Sequence, residues 1–240
     1  MLYYVSIGAL LTACDFTPDV PYAYEIDTYS WQDCDPCLVH EAPRYTVECT
    51  KVTAPDYLSQ VVNAKLDSMV IDQIIDINQT AKTIEDALET YVNNTLTAYP
   101  ESSEFTKAHE LSIATSVLYA SKHILSIGID SYIMAGGAHG NSTFQFLNVN
   151  AQTGALLTLD EITEDTEGLY AFAKAYFIKT HGSIDQFWFL DDTFTYSENI
   201  GFTESGILFF YNTYEIATYA EGSIELTLPW DNVEDFLLFR

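Results

Sequence analysis

Apolar residues recur at three distinct periods along the 240-residue chain. Met1 to Ala13 carries no charged side chain and is nearly continuous in apolar character. Between Asp15 and about Pro43 the chain is polar, acidic and broken by prolines, which predicts a tether and an irregular segment. Arg44 to Val52 then alternates, with Tyr45, Val47 and Cys49 on one side and Thr46, Glu48 and Thr50 on the other, the mark of a half-buried strand. After Pro55-Asp56 the spacing changes. Leu58, Val61, Val62, Leu66, Met69, Val70 and Ile74 fall on one face of a helix, and Ile84, Leu88, Tyr91, Val92 and Leu96 on one face of a second that stops before Pro100. Two consecutive helices predict a helical hairpin laid on a sheet.

From His109 to Met134 β-branched and aromatic residues dominate, with a turn predicted at Ser121-Lys122 and a further strand over Phe144 to Val149. A meander is the simplest arrangement of these three strands. Asn150 to Gly154 reads as a tight turn and Leu159 to Ile162 as a short acidic segment. Glu167 to Thr180 follows as an amphipathic helix through Leu169, Phe172, Ala173, Tyr176 and Phe177. Strands are predicted at Ile200–Thr203, Ile207–Tyr211 and Ser223–Leu228, with a closing helix from Asp231. Strands in runs beside segregated helices predict an α+β fold: antiparallel sheets with a helical hairpin and further helices packed on them.

Composition narrows the partners. Lys+Arg total 9 against 35 Asp+Glu, a formal charge of −26. Such a surface repels phosphate backbones and anionic headgroups, which excludes nucleic acid and polybasic membrane docking. A basic protein, a neutral glycan, or acidity serving only solubility remain.

Leu11-Thr12-Ala13-Cys14 reads as a lipobox, with small residues before a cysteine that takes a diacylglycerol. This makes residues 1–13 a lipoprotein signal and Cys14 the lipidated residue, although no Lys or Arg precedes the apolar run. The competing reading is a buried N-terminal strand, Leu2 to Leu10. Cys34-Asp35-Pro36-Cys37 has the letters of a redox motif without its strand and helix, so a disulfide from Cys49 to Cys34 or Cys37 is expected. No metal site and no cofactor are expected: zinc would need His40 as an added ligand, and no His-x-x-x-His spacing occurs.

Three ordered motifs carry a resemblance. They are Gly136-Gly137-Ala138-His139, the run Thr153-Gly154-Ala155-Leu156-Leu157-Thr158-Leu159-Asp160, and Gly206-Ile207-Leu208-Phe209-Phe210-Tyr211-Asn212-Thr213-Tyr214-Glu215-Ile216. Together they resemble the PdaC/RsiV-like extracellular domains, from about Arg44 to the C-terminus. The resemblance implies a PdaC-like part over 44–155 and an RsiV-like part over 156–240, following a signal at 1–13 and a tether at 14–43. It also implies a place in the bacterial cell envelope, outside the cytoplasm, and a ligand such as lysozyme or cell-wall glycan.

Candidate site residues follow. His139, beside two glycines, is either a ligand contact or general base or a structural bulge residue. Tyr211, Asn212, Tyr214 and Glu215 offer stacking faces and hydrogen bonds for a ligand, or else pack the sheet as a tyrosine corner. The expected function is ligand binding by a lipid-anchored envelope protein. The alternative is an enzyme on cell-wall glycan or peptide, a hydrolase or deacetylase relative, with His139 and Glu215 as its acid and base. Neither a Gly-x-Ser-x-Gly motif around Ser142 nor the adjacent pair Asp191-Asp192 supports a catalytic centre. The acidic run Asp160 to Glu167 lacks the spacing of a calcium loop and suits a helix entry.

Overall fold

Alternation and helical period both reappear in the computed structural model, which describes residues 2–7, 23–31, 44–53, 57–98, 109–135 and 138–239. Six strands make a mixed sheet in chain order: β1 (Leu2–Ile7), β2 (Ala23–Trp31), β3 (Arg44–Thr53), β4 (His109–Ala120), β5 (Ile124–Ala135) and β6 (Asn141–Asn150). A second, three-stranded antiparallel sheet holds β7 (Ile200–Thr203), β8 (Gly206–Tyr211) and β9 (Ile224–Pro229). The helices are α1 (Tyr57–Ile74), α2 (Ile84–Ala98), α3 (Leu159–Ile162), α4 (Thr166–His181) and α5 (Trp230–Val233). The fold is α+β, as the segregated patterns require.

The chain forms two compact units that interleave in sequence. Unit 1 takes Met1–Phe16, Pro21–Ser116 and Ile129–Ser142, and unit 2 takes Thr17–Val20, Val117–Gly128 and Thr143–Arg240. In unit 1, α1 packs on β3 and α2, and α2 reaches β2. Val62, Leu66, Val70 and Ile74 on α1 are buried, as are Val47 and Cys49 on β3, the strand α1 packs on. Asn63 ties the helix to the strand, accepting from the Val52 N–H at 2.8 Å and donating to its carbonyl at 3.0 Å. Unit 2 has an aromatic core in which Phe177, Phe189, Phe194, Phe202, Phe209 and Tyr211 are buried together.

The structure departs from the expectations in two places. Ala23–Trp31, read as part of an irregular segment, is strand β2, antiparallel to β3 with Tyr29 opposite Val47. Its hydrophobic alternation is masked in the sequence because Asp27 and the buried Tyr29 share a face. Leu2–Ile7 pairs with it as β1, whereas Cys14 and the rest of 8–22 lie outside the described residues. Second, β3 and β4 are parallel, with Arg44 to Glu48 beside Glu110 to Ala114. The α1–α2 hairpin is the crossover that a parallel pair demands.

Candidate functional site

The turn that leaves β8 gathers most of the expected ligand residues. Tyr211 ends the strand opposite Ile224 and points inward; it is 1% exposed and lies against Phe189 and Phe177, ring centroids 6.0 and 6.2 Å away. Its hydroxyl donates to the Thr195 carbonyl at 2.7 Å, and burial raises the phenol well above its ordinary value. Asn212 is engaged as well. Its Oδ1 accepts from the Phe144 N–H at 2.7 Å and its Nδ2 donates to the Phe144 carbonyl at 3.1 Å, which also receives Asn199 Nδ2 at 2.6 Å.

Glu215 closes the turn from the other side. One carboxylate oxygen accepts from the Asn212 N–H at 2.8 Å, the other lies 3.4 Å from the Ser197 hydroxyl, and the Glu215 N–H returns to the Asn212 carbonyl at 3.0 Å. Ser197 also donates to the Phe210 carbonyl at 2.7 Å. Held by this brace, Tyr214 adopts φ 72, a left-handed conformation costing a β-carbon-bearing residue on the order of 1–2 kcal/mol. Its ring stands in solvent, 54% exposed, 5.5 Å from the ring of Tyr219.

Neighbouring residues extend the surface. The Trp188 N–H donates to the Ile216 carbonyl at 2.8 Å, which fixes residue 188 beside the turn, and its side chain is 55% exposed. Phe187 and Phe189 pack inward around it while Leu190 is exposed like Trp188. The in-out alternation of Phe187-Trp188-Phe189-Leu190 was the sequence signal for this face. Glu221 stands beside Tyr219, and its carboxylate accepts from the Thr218 hydroxyl and N–H at 2.8 and 2.9 Å, contacts that lower its pKa.

His139 belongs to unit 1, in the loop before β6, with Nδ1 3.1 Å from the Gly140 carbonyl oxygen. The ring of Tyr132 lies where a Gly140 side chain would stand, so any larger residue there requires that ring to move. Gly136 and Gly137 lie outside the described residues. The other four candidates belong to unit 2.

Cys49 is a free thiol, so the expected bridge to Cys34 or Cys37 is not formed; those two cysteines lie outside the described residues. The physical reason is its place on β3. The side chain faces α1, fully buried, with Sγ 3.7 Å from Asp67 Oδ1 and 3.7 Å from the Thr50 carbonyl. Burial above all pushes this thiol up to about 12. Lys51, two residues along, reaches the same Asp67 oxygen at 2.5 Å. Among the described residues, no group of three or more His, Cys, Asp and Glu is arranged to hold a metal ion.

Two family descriptions match parts of the chain: "Deacetylase PdaC" over residues 50–142 and "Protein of unknown function (DUF3298)" over residues 159–231. No curated protein matches it. Among solved structures, a DUF3298 family member from Bacteroides fragilis superposes with a TM-score of 0.62 at 19% identity, covering 91% of this chain and 95% of the other. A DUF3298 family protein from Pseudomonas aeruginosa PAO1 gives 0.65 at 15% identity, covering 91% and 94%. At these identities the likeness is one of fold. The chain thus joins a PdaC-type region to a DUF3298-type region, the order that its glycine-histidine and tyrosine-asparagine motifs imply.

Proposed function

We propose that the chain is a lipid-anchored protein of the bacterial envelope, held through Cys14 once residues 1–13 are removed, so that β1 pairs with β2 only in the unprocessed chain, and that its extracytoplasmic domain binds a basic protein of the lysozyme kind. The observation that carries this reading is the outward pair Tyr214 and Tyr219 on a surface of one charge. From Thr180 to Phe239 the chain has 11 acids and no Lys or Arg, and the two rings sit among them with Tyr214 held in a strained backbone. The brace holds Tyr214 in a strained conformation that presents its ring to solvent, and contact with a ligand would offset that cost. Acidic surroundings raise the on-rate toward a cationic partner, and the tyrosines supply the desolvated contacts that hold it.

Calorimetry with lysozyme at low salt and at about 0.5 M salt, where the Debye length is about 4 Å, tests the interface. Binding that persists in salt and weakens at least about tenfold on Tyr214→Ala supports a specific surface. Binding that vanishes in salt and ignores Tyr214, or no binding at all, overturns it. For the anchor, Cys14→Ser is expected to move the protein from the membrane to the soluble fraction, and equal membrane retention would contradict lipidation. No helix among the described residues is long and apolar enough to cross a membrane.

A further inference from the structure

We propose that unit 1 holds a second, separate binding site, a cavity beside α1 that takes a small zwitterion of about dipeptide size. The cavity is an open groove of about 460 Å³ between α1 and the loop that leads to α2, with Ala64, Ser68, Asp72, Thr80 and Lys82 exposed along it. That volume falls in the range of small-molecule sites. The helix contributes Ala64, Ser68 and Asp72 in one row at four-residue spacing and Asp67 and Ile71 in an adjacent one, which Ile75, just past the helix end, continues. Across from them stand Gln79, Thr80, Ala81 and Lys82.

The loop wall is fixed at both ends. Gln79 donates its N–H to the Asp76 carbonyl at 2.8 Å and accepts the Asp76 N–H on its side chain at 3.2 Å. At the far end the Lys82 N–H donates to Asp86 at 3.0 Å, while the Asp86 N–H donates to the Thr83 hydroxyl at 3.2 Å, capping the start of α2. A preformed wall lowers the ordering cost of binding.

Charge bookkeeping selects the occupant. Asp67 is neutralised by Lys51 at 2.5 Å, and that contact and the one from Cys49 both fall on Oδ1. What remains is one carboxylate, Asp72, and one ammonium, Lys82, both exposed at the rim. A free cation or anion would satisfy one and face the other; a molecule with an ammonium at one end and a carboxylate at the other satisfies both. The lining also offers the Ser68 and Thr80 hydroxyls and the Gln79 Nε2, whose Oε1 already accepts from Asp76, to a peptide bond, and Ile71, Ile75 and Ala81 to small side chains.

The test is calorimetry on the full chain with alanyl-alanine, N-acetyl-alanyl-alanine and alanyl-alaninamide. The free dipeptide is expected to bind saturably and at least about tenfold more tightly than either blocked form. Asp72→Asn is expected to remove the preference over the acetylated compound, and Lys82→Ala the preference over the amide. Absence of saturable binding by alanyl-alanine up to about 10 mM overturns the proposal, as does equal binding of all three. Because the blocked ligands test the charges on the unaltered protein, the outcome does not depend on either variant folding. Tyr214→Ala is expected to leave this binding unchanged.

Discussion

Replacing Asn212 by alanine separates a structural from a ligand-contacting side chain. The substitution removes two hydrogen bonds to the Phe144 backbone, which Asn212 reaches across 68 residues of sequence. Their fates differ. The Phe144 carbonyl keeps Asn199 at 2.6 Å, whereas its N–H loses its partner at 2.7 Å. An orphaned, partly buried N–H costs about 1–3 kcal/mol and the second bond about 0.5–1.5 kcal/mol, so a loss of about 2–3 kcal/mol is expected. For a chain of this size that is roughly a 5–10 °C fall in Tm. Asn212→Asp keeps the acceptor for the N–H but turns a carboxylate toward the Phe144 carbonyl, and it is expected to destabilise as well. Urea unfolding of the three proteins, followed by aromatic fluorescence, measures this directly. If Asn212→Ala unfolds within about 0.5 kcal/mol of the parent and loses lysozyme binding instead, the brace described above is wrong and Asn212 is a ligand contact.

Gly206 has φ 153 and its missing β-carbon would run into the Leu228 carbonyl, so Gly206→Ala is expected to cost more than about 2 kcal/mol in urea unfolding; a neutral result would refute the β8–β9 geometry. Burial lowers the Lys51 pKa, but the Asp67 hydrogen bond and neighbouring charges outweigh it and the net shift is upward from 10.5. A raised cation stabilises fully below its unfolded value and less as pH climbs through the folded one. The stability gap between the parent and Lys51→Met, about 1–2 kcal/mol for a partly exposed pair, is therefore expected to be flat from about pH 7 to 9 and to narrow above about 10.5; a gap that widens there contradicts the pairing. Cys49 is expected to stay unmodified by iodoacetamide in the folded protein at about pH 8 and to label on unfolding, as peptide mass mapping reads out; a bridged or rapidly alkylated Cys49 would show that it is not the buried thiol described here.

The helices α1 and α2 were legible because Leu58 to Ile74 and Ile84 to Leu96 keep the helical period without interruption, and β3 to β9 because their alternation or turn residues are undisguised. Strand β2 was not, since Asp27 and Glu25 interrupt a pattern whose inward anchor is a tyrosine. Direction of pairing was hidden too: alternation states which face is buried and says nothing of whether a neighbour runs parallel. At the turn after β8 the sequence singled out Tyr211, Asn212, Tyr214 and Glu215 together, yet only Tyr214 and Glu215 are exposed. The task of Asn212 depends on a backbone amide far away in the chain, and no local motif encodes such a partner.

The parallel step between β3 and β4 has a kinetic consequence. Thr50 donates its N–H to the Thr115 hydroxyl at 2.6 Å and its own hydroxyl to the Thr115 carbonyl at 2.9 Å, joining residues 65 apart. Closing that loop from an open chain costs roughly 4 kcal/mol of entropy beyond a length-independent part. If the α1–α2 hairpin forms first, it shortens the search, since two packed helices leave a much shorter flexible length to close. Unit 1 is then expected to fold by a helix-first route, with β3–β4 zipping late and slowly compared with the local hairpins of unit 2. Until that step is complete, β3 presents one unpaired edge, so the folding chain is most prone to wrong strand partners in the interval between helix docking and sheet closure.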